Sequence, residues 1–274
     1  MTQTLTIKSK LDDIRQLYKE EIPRMRALIL GEKGAGKTTL LETCPKPVLV
    51  HSFDPGGTES IRDSIESGEI IAITETEYED QQNPQAYKLF AARFNEMKRN
   101  GIFNEIATYS IDSTTLFSDA IINQIVHRQG HTIPTLESET RVKKNEHGMQ
   151  IQDWESNIQV WTNIVRSLTM LPCNTILFGH IDRSTDSMTN VTTKGLMLPG
   201  RSAEKVPIMF HELYILQAKE TVKGVERRLL TQNDAEFRAT TRMGRKGLFD
   251  RYEPADIRAL LKKAGYPYED KVSS

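Results

Sequence analysis

The stretch Arg26–Thr39, RALILGEKGAGKTT, constrains this chain more than any other. Ala27, Leu28, Ile29 and Leu30 form an uncharged run that reads as a short buried strand. Gly31 to Thr38, GEKGAGKT, then fits G-x-x-x-x-G-K-[ST], the phosphate-binding loop. Gly31, Gly34 and Gly36 let the backbone take left-handed conformations and turn its N–H groups toward an anion. A helix beginning around Lys37 would add unpaired amides and its positive end. In this pattern Gly31, Gly34, Ala35, Gly36, Lys37, Thr38 and Thr39 line a triphosphate, Lys37 reaching the β/γ-phosphates and Thr39 the α-phosphate. The Thr38 hydroxyl would bind Mg²⁺. The expected ligands are ATP and Mg²⁺.

A chain of 274 residues has room for one large α/β domain with a filled core, and little for a second. A net charge of −1 means that any surface for a polyanion must be local. Cys44 and Cys173 suggest neither a disulfide framework nor a metal cluster, and read as reduced core thiols. No apolar run approaches membrane length, and MTQTLTIKSK lacks a signal-peptide core. A soluble, cytoplasmic protein without a membrane partner is expected.

Residues 1–25 read as an extension with a short strand at Leu5–Ile7 and a helix over Leu11–Glu21. After the loop, Val48–Ser52 reads as a second buried strand that ends in Phe53-Asp54-Pro55-Gly56-Gly57. Ile70–Ile73 suggests another strand. A helix from Pro84 to about Arg99 puts Tyr87, Phe90, Ala91, Phe94 and Met97 on one face, a pattern that fits a core better than a base-stacking platform. Ile106–Thr114 contains a strand ending at Asp112, where a carboxylate at the carboxyl edge of a parallel sheet can order a Mg²⁺ shell, or simply cap the helix that follows. The residue after Asp112 is Ser113 rather than Glu, so a water-polarising base must come from elsewhere. Asp54 is the first candidate and Glu59 the second; an ordinary turn-forming Asp is the alternative. Gln129–Gln150 reads as a long polar excursion containing His131, His147 and Arg141-Val-Lys-Lys. Trp154–Met170 is an amphipathic helix, and Asn174–His180 a strand expected between those carrying Gly31 and Asp112. His180 would then sit near the γ-phosphate as a sensor, or be a strand-end His satisfied by backbone. Residues 182–200 read as a Gly- and Thr-bearing stretch with a hairpin at Asn190–Leu198.

Toward the C-terminus, Glu212–Gln217, Arg227–Thr231 and Ala235–Thr241 suggest antiparallel strands, and Ala255–Ala264 a closing helix. Between them lies the densest basic segment, with Arg238, Arg242, Arg245 and Lys246. It suits a nucleic-acid backbone, a finger onto ATP held by a neighbouring subunit, or simple solvation.

The motifs GEKGAGKTT, VLVHSFDPGG, TYSIDSTT, LPCNTILFGH and ATTRMGRKGLFDRYEP together resemble the RecA/RadA-type ATPase core over roughly Arg26–Pro254. More narrowly they resemble phage nucleotide-binding proteins that include RecA-like single-strand annealing proteins, the Sak group. The resemblance implies an α/β fold: a mostly parallel sheet with the P-loop strand central, helices on both faces and a C-terminal antiparallel extension. It implies three parts, residues 1–25, an ATP-binding domain at 26–254, and a C-terminal helix and tail at 255–274. It further implies ATP binding, homo-oligomeric rings or filaments, single-stranded DNA binding, and a single-strand-binding protein as partner. By position Asp54 matches the catalytic-acid slot, where Glu is usual, and His180 a sensor slot often filled by Gln or Asn. Lys37, Asp54, Asp112 and His180 are thus the expected catalytic set. Two other readings stay open: a nucleotide-gated assembly protein with little turnover, and a small-molecule kinase.

Overall fold

The computed structural model describes residues 7–20, 22–76, 79, 83–128, 149–185, 192–222 and 224–271. Residues 129–148 of the expected excursion at Gln129–Gln150, residues 186–191 of the stretch at 182–200, and most of the strand at Leu5–Ile7 lie outside them. Ile7 itself opens a helix, α1 (Ile7–Glu20), rather than closing a strand.

The sheet is built from β1 (Arg26–Gly31), β2 (Val48–Ser52), β3 (Ile70–Thr74), β4 (Thr108–Asp112), β5 (Asn174–Thr185), β6 (Thr192–Leu196), β7 (Glu212–Thr221), β8 (Gly224–Leu230) and β9 (Tyr252–Pro254). The helices after α1 are α2 (Arg62–Glu66), α3 (Ala86–Arg99), α4 (Ile102–Glu105), α5 (Thr114–Arg128), α6 (Ile151–Thr169), α7 (Ser202–Lys205) and α8 (Ile257–Ala264). The strand order is β3-β2-β4-β5-β1-β7-β8-β9, and β6 pairs with the outer half of β5. Strands β3 through β7 in that order are parallel; β8 and β9 continue the sheet antiparallel. One strand therefore separates the P-loop strand from the Asp112 strand, the order of the expected RecA-like core.

The central strands are covered on both faces, and residue alternation along β1 shows how. Leu28 and Leu30 face a layer containing Phe90 and Phe94 of α3, Phe117 and Ile121 of α5, and Trp161 of α6. Ala27 and Ile29 face the other layer, with Leu40, Leu41, Ile61, Leu260 and Leu261. The aromatic face of α3 is thus core: Phe90 lies 4.7 Å from Phe117 centroid to centroid, and Phe117 5.4 Å from Trp161. Cys44 and Cys173 are buried free thiols, burial pushing Cys44 up to about 12 and Cys173 up to about 11.

Three local expectations need correction. After the P-loop the chain forms only a 3₁₀ helix, Thr39–Thr43, because Pro45 and Pro47 follow almost at once and β2 begins at Val48. A long helix dipole at the phosphate site is therefore absent. Ala235–Thr241 is not a strand: Phe237 and Thr240 make isolated bridges to Lys194 and Leu213, and the strand beyond β8 is Tyr252–Pro254. The side chains of Asp234 and Asn233 accept from the backbone amides of Glu236, Phe237 and Ala239, which takes those donors away from a regular ladder. The strand at His180 runs on to Thr185, because β6 returns alongside it. Among the described residues no helix is long and apolar enough to cross a membrane.

Candidate functional site

Parallel strands bring their carboxyl ends to one edge, and register decides which side chains meet there. Gly31 pairs with His180 across β1 and β5, and Ser52 with Asp112 across β2 and β4. Phe53 N–H donates to the Asp112 carbonyl at 2.6 Å, fixing the end of β2 beside β4. The turn Asp54–Gly57 follows, closed by Gly57 N–H to the Asp54 carbonyl at 3.0 Å, with Pro55 second and left-handed Gly56 third. Asp54 is thereby set beside Asp112 at the sheet edge.

The loop between Gly31 and Thr39 curls over this edge. Lys37 is buried, and its ammonium donates to the carbonyls of Gly31 at 2.9 Å and Glu32 at 3.1 Å. It also lies 3.3 Å from His180 Nδ1. A lysine ammonium can only donate, so Nδ1 accepts and the ring proton sits on Nε2. Nε2 faces Asp54 Oδ2 at 3.6 Å, an electrostatic contact longer than a hydrogen bond. The other Asp54 oxygen accepts from the Ser113 hydroxyl at 2.6 Å. A continuous chain runs Ser113–Asp54–His180–Lys37.

The second contact is Thr38 Oγ1 donating to Asp112 Oδ2 at 2.5 Å. Burial pushes the Asp112 carboxyl up to about 6, against the Thr38 hydroxyl and Lys37, with Asp54 nearby adding to the rise. Burial alone would also raise Asp54, but His180, the Ser113 hydroxyl and Lys37 outweigh it and hold that carboxyl below its usual range. Burial lowers Lys37, while Asp112, Asp54 and Glu32 pull it back up. The two aspartates thus differ in kind: Asp54 is a half-buried carboxylate held charged, and Asp112 is a fully buried one whose charge burial disfavours.

The donors fit a nucleotide with a hard divalent ion. Thr38 and Asp112 place two oxygens side by side that could serve a magnesium ion, which typically takes only one or two ligands from protein. Among the described residues no group of three or more His, Cys, Asp or Glu forms a self-sufficient metal cage. Gly34 and Gly36 have φ of 81° and 95°, so the loop adopts a backbone open to glycine. At Gly179 an added Cβ would lie 2.5 Å from Leu196 and 2.9 Å from Thr114, so this glycine lets β6 and α5 close on the strand that presents His180.

Gly31, Gly34, Ala35, Gly36, Lys37, Thr38, Thr39, Asp54, Asp112 and His180 therefore converge, as their spacing suggests. Glu59 does not join them; its carboxylate pairs with Arg62 at 2.5 Å on the surface. Arg238, Arg242, Arg245 and Lys246 lie elsewhere. Arg242 N–H donates to Glu212 at the start of β7, whereas Gly31 pairs with Leu216 farther along that strand. From Ala27, the partner of Glu212, to Gly31 is about 13 Å at about 3.3 Å per residue. Arg242, Arg245 and Lys246 line a cleft of about 580 Å³ with Thr231, Thr241 and Gly244. All four basic residues are exposed and make no ion pair among the described residues. Two contributors escape the sequence pattern: Ser113, signalled only by its place after Asp112, and Arg227, which arrives from β8 to touch the P-loop.

A family model described as an AAA domain matches residues 24–243, most of the chain and every residue of the converging set. The chain belongs to this family. It is a P-loop ATPase domain with a nucleotide-binding core. Comparison with curated protein sequences gives no match. Among solved structures, it is similar to a KaiC-like protein from the hyperthermophilic archaeon Pyrococcus horikoshii OT3, with 12% identity and a TM-score of 0.39. That alignment covers 82% of this chain and 86% of the other.

Proposed function

We propose that this protein hydrolyses ATP and uses it to handle single-stranded DNA in recombination or annealing of the phage Sak type. The observation that carries the first half is the pairing of Thr38 with Asp112 beside the chain Ser113–Asp54–His180–Lys37. Lys37 and the amides of residues 34–39 bind the phosphates, and Thr38 and Asp112 hold Mg²⁺. The ion, when bound, neutralises charge building on the β- and γ-phosphates. Asp54, kept as a carboxylate, orients a water in line with the γ-phosphorus, and the Ser113 hydroxyl fixes the carboxyl's rotation. Water adds to phosphorus as the bond to the β-phosphate oxygen breaks, leaving ADP and phosphate. His180, between Asp54 and Lys37, reports the γ-phosphate along β5 into the β5–β6 hairpin. The basic cleft with Arg242, Arg245 and Lys246, flanked by Arg238, would contact DNA phosphates. A single-strand-binding protein is the expected partner, and exposed Leu11 and Ile14 on α1 suit a homo-oligomer in the cytoplasm.

One observation favours a second reading, a nucleotide-gated assembly protein with little turnover. Asp54 has the shorter acid side chain and is already engaged by Ser113 and His180.

The deciding experiment is ATP hydrolysis by the full chain with and without single-stranded DNA, beside Lys37→Ala. DNA stimulation that vanishes in the variant supports the first reading. Tight ATP binding with slow turnover indifferent to DNA supports the second. Turnover unchanged by Lys37→Ala would falsify both.

A further inference from the structure

The β7–β8 hairpin stands beyond the sheet edge next to the P-loop. Its residues 218–222 and 224–227 are exposed on both faces, including Val222 and Val225. A pair of strands with no core beneath it needs some other anchor. Arg227 supplies one. It pairs with Ala218 in the hairpin and reaches across β7, donating Nε–H to the Ala35 carbonyl at 3.2 Å. Its side chain lies flat on Gly36: a Cβ added there would fall 2.5 Å from Nε and 2.9 Å from Cδ. Gly36 also has φ of 95°, so the backbone favours glycine at this position, and its bare Cα lets the arginine lie close.

The contact falls on the part of the loop whose amides must converge on phosphate. A carbonyl held outward by Arg227 leaves the N–H that shares its peptide plane, that of Gly36, directed inward. We infer that Arg227 is a positioning residue for the triphosphate, setting the Ala35–Gly36 segment for the anion and tying the hairpin to nucleotide binding. The inference rests on the P-loop binding ATP. By reciprocity, whatever the nucleotide gains from the ordered loop the hairpin gains from the nucleotide.

The test uses the full chain with Mg²⁺ and titrates ADP calorimetrically into native protein, Arg227→Gln, Arg227→Lys, Lys219→Gln and Lys37→Ala. Arg227→Gln is expected to weaken ADP about tenfold, the order expected for a lost charge-assisted hydrogen bond. Its melting midpoint without nucleotide should stay within about 1 °C of native, since the hairpin tip that Arg227 anchors covers no core and can fray without opening the sheet. Lysine keeps the charge but loses the planar Nε–H, so Arg227→Lys should recover only part of the loss. Lys219→Gln, on the same hairpin, should bind ADP as native does. Hydrogen exchange at amides 225–229 should slow with ADP in the native chain and not in Arg227→Gln. ADP affinity within twofold of native in Arg227→Gln, complete rescue by lysine, or a midpoint several degrees lower without nucleotide would each overturn the inference. Failure of the ATP reading looks different: native protein that does not bind ADP, or Lys37→Ala that binds it fully.

Discussion

Ser113 and Asp54 make the smallest unit on which the proposed chemistry turns. The Ser113 hydroxyl donates to one oxygen of Asp54, while His180 faces the other. A carboxylate held charged and below its usual range is a poor store for a proton. It is well suited to aligning a water by accepting a hydrogen bond. Asp54→Asn keeps the shape but loses the charge, and steady-state kinetics should show kcat down about a hundredfold, the low end for a positioned acid–base group. KM should stay within about twofold, because Asp54 is not among the phosphate-binding groups. Ser113→Ala should cost only a few-fold, since it frees the carboxyl to rotate without discharging it. Equal losses from both substitutions would mean that the hydroxyl, not the carboxylate, meets the water. The candidate roles of Lys37, Thr38, Asp112 and Asp54 were legible because each is local: a loop motif, or an acid at a strand end. Arg227 was not: its strand was legible, but its meeting with Ala35 depends on the hairpin standing beside β1, a contact 192 residues apart that no local spacing encodes.

At the scale of elements, β2 carries a buried cluster beneath Asp54 that the chemistry does not use. His51 is fully enclosed, with Tyr109 of β4 at 2.8 Å from Nδ1 and Phe90 of α3 edge-on to its ring. Nε2 lies 3.8 Å from Glu75, which follows β3 and pairs with Arg93 of α3 at 2.9 Å. Burial, reinforced by Arg93, pushes the His51 pKa down to about 3. The unfolded chain therefore binds this proton below about pH 6.5 while the folded chain refuses it. Stability from His51 is complete above pH 6.5 and is lost as pH falls toward 3. Burial raises Glu75, so that group acts in the opposite sense in acid and offsets part of the loss. Urea unfolding at pH 7.0 and pH 5.0 should show native protein losing about 2 kcal/mol more than His51→Asn, from about 1.5 pH units below the histidine's ordinary value. A difference near zero would mean that the folded chain admits the proton. That β2, β4, β5 and β1 are strands was readable from buried runs ending in polar residues, and their order from the class of sheet that the P-loop implies. The 3₁₀ turn after Thr38, α4 and β9 were not: each is too short for periodicity, and its shape is set by neighbouring prolines or by a distant strand.

The whole molecule has two ends. The nucleotide residues gather at the carboxyl edge of the parallel strands, and Arg242, Arg245 and Lys246 line a cleft toward the amino end of β7. The cleft thus opens away from the P-loop of its own chain, about 13 Å back along the sheet at about 3.3 Å per residue. Two arrangements remain, and they make opposite demands. If the cleft holds single-stranded DNA, Arg242→Ala with Arg245→Ala should weaken DNA binding and reduce the slope of log K against log salt by about 1.4, at about 0.7 per lost phosphate contact. The KM for ATP would not change. If instead copies stack head to tail, the cleft of one meets the P-loop of the next, and such heterologous contacts close into rings or run on as filaments. ATPase activity per chain would then rise with protein concentration, and the double variant would lose turnover without DNA. Mixing separates the cases. Lys37→Ala brings an intact cleft and a dead P-loop; the double variant brings the reverse. In a head-to-tail assembly some interfaces of the mixture join an intact cleft to an intact P-loop, and activity reappears on mixing two inactive proteins. With the cleft devoted to DNA, DNA-free turnover is instead that of the double variant diluted by an inert partner, and never exceeds the sum of the two. The DNA reading predicts that additive result.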